Sequence, residues 1–115
     1  MSDHIRVSRR ADRDVDRIVW WIANRQKSPE GAARWYRAYE TCLKRLVQSA
    51  RGQPFAPEND FAEFEIRQMT FKTNRGRMYR LLFTIVGSEI RVLHVRGPGQ
   101  DLVPPDDLLF VDDDA

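Results

Sequence analysis

The stretch Arg67–Arg96, RQMTFKTNRGRMYRLLFTIVGSEIRVLHVR, decides the fold of this chain. Its second half alternates apolar and polar residues and is divided by Gly87-Ser88, a two-residue hairpin signal with glycine in the first turn position. Three strands are predicted, near Glu65–Phe71, Met78–Val86 and Glu89–Val95. Pairing Val86 with Glu89 places Tyr79, Leu81, Phe83 and Ile85 on one face with Arg96, His94, Val92 and Ile90. Arg80, Leu82, Thr84 and Val86 then share the opposite face with Val95, Leu93, Arg91 and Glu89. The first face reads as core and the second as open. The stretch carries seven Lys or Arg and a single acid, Glu89, so the sheet presents cations on a folded surface and implies a polyanionic or acidic partner. Six Asp and no Lys or Arg in residues 101–115 bring the whole-chain charge down to +2 and mask this excess.

Upstream, Ile5–Val7 is a short strand candidate, and Ser8 opens a helix expected over Ala11–Gln26 with Ala11, Val15, Ile18 and Ile22 on one face. Ser28-Pro29-Glu30 starts a second helix: serine caps, proline suits the first helical position, and an early acid suits the positive end of the dipole. Ala32, Tyr36, Tyr39, Leu43, Leu46 and Ala50 form its predicted buried stripe, and Gly52 and Pro54 close it. The link between the helices is so short that they fold back as an antiparallel hairpin. RGQPFAPENDFAEF, residues 51–64, reads as a loop crossing to the sheet. The expected class is therefore α+β: a strand, a two-helix hairpin, then a three-stranded antiparallel meander, within a domain over residues 1–101 followed by an acidic tail over 102–115.

The chemistry-bearing residues are few. Cys42 stands alone, so no intramolecular disulfide forms, which fits a reducing cytoplasm, and its helical setting favours a packing or surface thiol over a catalytic one. His4 and His94 have no metal-ligand spacing, and no phosphate-loop or dinucleotide pattern occurs, so neither a metal nor a cofactor is expected. No apolar run reaches the ~20 residues that span a bilayer, and the N-terminus lacks a signal-peptide core, so a cytoplasmic protein is expected. His94, placed among Leu81, Phe83 and Val92, reads as a structural histidine. Arg67, Lys72, Arg75, Arg77, Arg80 and Arg91 form the basic group expected to meet RNA or another target. Arg80, with no acid on the adjacent strand except the distant Glu89, is expected to serve activity more than folding, and His94 the reverse.

The chain resembles the RelE/ParE toxins of type II toxin–antitoxin systems over residues 5–101. The resemblance rests on V-S-x-x-A-x-x-D at Val7, Ser8, Ala11 and Asp14, on Ile66-Arg67, on Y-R-L-L-F from Tyr79 to Phe83, and on V-L-H-V-R ending at Arg96. It implies a toxin neutralised by a cognate antitoxin, with Trp20, Trp21, Trp35, Tyr36 and Arg80 as antitoxin contacts, since these aromatics exceed what one core stripe holds. RelE-like relatives cleave messenger RNA in the ribosome without metal, and for that activity Arg80 is the catalytic residue the resemblance suggests. Relatives of that kind continue with a His-Gly-x-Arg-like string where this chain reads Arg96-Gly97-Pro98-Gly99-Gln100-Asp101, so the histidine falls at Gly97 and a basic position at Gln100. The resemblance thus favours a ParE-like toxin directed at DNA gyrase. The alternatives are a RelE-like ribonuclease and a nontoxic module holding an anion or an acidic peptide.

Overall fold

The computed structural model describes residues 3–108. A four-stranded sheet, ordered β1-β4-β3-β2, packs one face on a helical hairpin. β1 is His4–Val7, α1 Arg9–Trp20, α2 Pro29–Ser49, β2 Arg67–Phe71, β3 Tyr79–Val86 and β4 Glu89–Arg96. β2, β3 and β4 form the antiparallel meander, while β1 adds to the far edge in parallel with β4. Gly87 turns the β3–β4 hairpin at φ +62°, a left-handed conformation that favours glycine.

Ser8 caps α1, accepting from the Ala11 amide at 3.0 Å, and Ser28 caps α2 through the Gly31 amide at 3.0 Å. Past Trp20 the first helix widens into a π-helical turn, Trp21–Arg25, rather than continuing as α-helix to Gln26. The buried stripe of α2 is Ala32, Trp35, Tyr39, Cys42 and Leu46. Trp35 and Cys42 therefore point inward where Tyr36 and Leu43 were expected. The spacing permits either choice, and the larger indole fills the space: it lies parallel to Tyr39 at 5.8 Å and meets Phe71 and Tyr79 at 5.6 and 5.3 Å.

The meander register departs from the simple hairpin expectation at one point. Phe83 pairs with Val92 as predicted, but Leu82 pairs with His94, Leu81 with Val95 and Arg80 with Arg96, so β4 carries a bulge at Leu93. The extra residue puts Val95, not His94, into the apolar core beneath the helical hairpin. The bulge is held from α1. β1 stops at Val7, and beyond it helix groups bond the edge of β4: the Ser8 amide donates to Val92 O, the Ser8 hydroxyl donates to Leu93 O, and Asp14 accepts from the Val95 amide at 3.0 Å. The V-S-x-x-A-x-x-D string is thus a docking device, in which the fully buried Ala11 allows close approach and Ser8 and Asp14 satisfy the strand edge.

The second sheet face is covered, not open. Residues 54–66 fold across it, tied by Ala56 N to Ile66 O, Gln68 N to Pro54 O and Ile66 N to the Asn59 side chain. The chain returns over the same face after β4. Ala56, Ile66, Leu82, Leu93, Val103 and Leu108 form a second small core there, flanked by Ala62 and Phe64. Val103 and Leu108, from the segment read as a tail, are buried in it, and residues 109–115 lie outside the described part.

Candidate functional site

Two cores leave little of the basic sheet exposed, and the expected site residues separate into groups. Arg80 is held beneath the cover. Its guanidinium donates to both oxygens of Glu58 at 2.9 Å each and to Gln68 Oε1 at 3.0 Å. Glu58 is fully buried, and its Oε2 also accepts from the Val103 amide at 3.0 Å. Burial alone raises this carboxyl, but the hydrogen bonds from Arg80 and Val103 outweigh it and hold Glu58 below the usual carboxylate range. The expectation that Arg80 lacks an acidic partner is therefore corrected. The partner comes from the 54–66 segment, 22 residues away in sequence, rather than from a neighbouring strand.

Arg67 is also engaged, donating to Gln53 O at 2.6 Å with its guanidinium 4.4 Å from the Phe55 ring centroid. Arg91 pairs with Glu89, which Arg6 and His4 also approach. Lys72, Arg75 and Arg77, in the β2–β3 connection, are the members of the group that stand exposed. Among the aromatics, Trp35 is 2% exposed and cannot meet a partner directly, which corrects its expected role as an antitoxin contact. Trp20, Trp21 and Tyr36 are 56%, 49% and 41% exposed and remain available. Trp20 ends α1 and Trp21 opens the π-helical turn, and Arg25 lies 5.3 Å over the Trp21 ring.

His94 is buried as expected but between different neighbours. Nδ1 lies 3.2 Å from Asp14 Oδ2, and Nε2 lies 2.6 Å from the carbonyl of Asp107. Both neighbours present acceptor oxygens to the ring. Arg10 joins the same corner through Asp107 Oδ1 at 2.6 Å, and its guanidinium, with burial opposing, holds that carboxyl below its usual range. His94 therefore ties β4, α1 and the C-terminal segment together.

Sequence reasoning missed a cleft of about 400 Å³ where the end of α1 meets the start of β3 and the turn after β4. Ile18, Trp21, Tyr79 and Pro98 supply its apolar walls, and Arg17 and Arg77 its charge. Gly97 lets the turn approach closely there: a Cβ would come within 3.2 Å of the Tyr79 ring, which would have to shift by a few tenths of an ångström. Gln100 turns back to accept from the Gly97 amide, which fixes the turn. No periodicity joins these residues, since they come from three separate stretches of the chain.

A strand, a helical hairpin and an antiparallel meander follow in the order expected of a RelE/ParE-like α+β fold, with β1 parallel to β4. The chain matches, over residues 5–102, the family described as "ParE toxin of type II toxin-antitoxin system, parDE", and it belongs to that family. Among solved structures it is similar to a chain of the chromosomal ParDE toxin–antitoxin system from P. aeruginosa, with 21% identity, a TM-score of 0.59, and coverage of 83% of this chain and 95% of that one. No curated protein matches it significantly. As a type II toxin component it has an antitoxin as partner. Among the described residues no helix is long and apolar enough to cross a membrane.

Proposed function

We propose that this chain is a cytoplasmic toxin that acts on DNA gyrase, not on messenger RNA, and is neutralised by its cognate antitoxin. The observation carrying this reading is the Arg80–Glu58 pair. A guanidinium that stabilises a phosphate transition state must present an uncompensated field to the reacting oxygens. Here two of its donors are bound to a buried carboxylate, and residues 54–66 and 103–108 lie over the face where a strand of RNA would rest. The other groups nearby are committed in the same way, His94 to Asp14 and Asp107, and Gln100 to Gly97. What the fold leaves outward is the exposed Lys72, Arg75 and Arg77 loop, a surface suited to an acidic macromolecular target.

The test is a pair of assays on purified protein. Inhibition of gyrase supercoiling or accumulation of cleaved DNA, with messenger RNA left intact in a translating extract, is the expected result. Codon-phased cuts in the ribosomal A site would reverse the assignment. Co-expression with the product of the adjoining antitoxin gene should abolish the effect.

A further inference from the structure

We propose that the Arg17–Arg77 cleft is an anchor for the antitoxin: it takes an acidic side chain of the partner between the two guanidinium groups, with a neighbouring aromatic or branched aliphatic side chain packed on Ile18, Trp21 and Pro98. This rests on the reading above that an antitoxin neutralises the chain, and adds where and by what chemistry it is held. Three observations carry it.

The first is charge. Arg77 has no carboxylate partner among the described residues, and the cleft lining includes no acid at all. Arg17 approaches Asp14 only at 3.9 Å, and the other oxygen of that carboxylate is already bound by the Val95 amide and His94. Two cations at one mouth repel each other, and a carboxylate between them removes that repulsion while gaining charge-assisted hydrogen bonds. The second is shape. About 400 Å³ closed by a fixed turn accommodates one or two side chains, the scale of an anchor residue in a peptide interface. The third distinguishes peptide from nucleic acid. Base stacking needs a bare ring face, but the Trp21 face carries Arg25, and Tyr79 is packed against Trp35 and Phe71. Trp21 is thus already paired with a cation on one face, while Ile18 and Pro98 add saturated surface that suits an aliphatic or aromatic side chain better than a base.

The experiment measures binding of the purified product of the adjoining antitoxin gene to the full chain and to Arg17→Glu, Arg77→Glu and the double variant. Each single reversal should weaken binding at least tenfold and the double at least a hundredfold, with melting temperatures unchanged because both arginines are exposed. Lys44→Glu, an exposed lysine on α2, should change affinity less than threefold. An Asp or Glu to Arg change in the antitoxin should restore binding to Arg77→Glu and weaken it to the wild type. If the wild type fails to bind the antitoxin, the neutralisation reading itself fails. Wild-type binding that the reversals leave intact overturns the cleft alone, as does an equal loss in Lys44→Glu. Loss of binding to a labelled dT12 oligonucleotide with antitoxin affinity unmoved would also overturn the proposal and assign the cleft to nucleic acid.

Discussion

Replacing Arg80 by alanine tests whether this side chain belongs to the fold or to a target. At 2.9 Å, and with an effective dielectric of about 20, the gross attraction between Arg80 and Glu58 is about 6 kcal/mol, against which stands the desolvation of a carboxylate with no solvent exposure. Removing one member of such a pair leaves the other buried and uncompensated, at a cost of about 3–5 kcal/mol. For a domain of this size that corresponds to a fall of about 10–20 °C in melting temperature. The asymmetry between the partners sharpens the test. Glu58→Gln keeps an oxygen for the Val103 amide and leaves an arginine whose side chain is 20% exposed and can turn to water, so it should cost less, about 1–3 kcal/mol. Acidification supplies a second signature. Because Glu58 is held below its unfolded value, its contribution is complete at neutral pH and is lost as pH falls through the folded value. In Arg80→Ala burial prevails and raises the same carboxyl, so the deficit relative to wild type should shrink from pH 7 toward pH 4 as Glu58 takes up a proton. Urea melts by circular dichroism at both pH values measure this. An Arg80→Ala protein with normal stability at pH 7 and lost toxicity would refute the argument and return Arg80 to a functional surface.

His94→Ala and Asp14→Ala should each destabilise by about 1–3 kcal/mol, because each strands buried acceptors or the Val95 amide; hydrogen exchange should quicken at Val95 and across residues 103–108, and unchanged protection there would show that the corner is not a tie. Burial pushes the Cys42 thiol up to about 11, with Arg45 opposing, so native protein should resist iodoacetamide at pH 8 and react only once unfolded in urea, and rapid labelling of the folded chain would contradict its placement.

The elements of this fold were legible because they rest on local rules. Helical spacing from Ala11 to Ile22, the Ser8 and Ser28 caps, Pro29, and the Gly87-Ser88 turn between alternating strands each act over a few residues, and each reappears in the structure. Family membership was legible in the same way, through short strings in a fixed order, and the family match over residues 5–102 bears it out. Which side of a periodic pattern faces inward was less determined. Tyr36 and Trp35 differ by a single helical step, and only the aromatic partners Phe71 and Tyr79, contributed from the sheet, select the indole. The fate of the basic face was not determined at all. A one-residue bulge at Leu93 reassigns His94, and a covering segment with the buried Glu58 claims Arg80, because a strand pattern specifies two faces but not what later or earlier chain comes to lie on them. Burial and ion pairing are properties of the assembled molecule: the sequence supplied the cations, and the tertiary packing decided that Arg80 holds the fold while Arg17 and Arg77 are left facing outward.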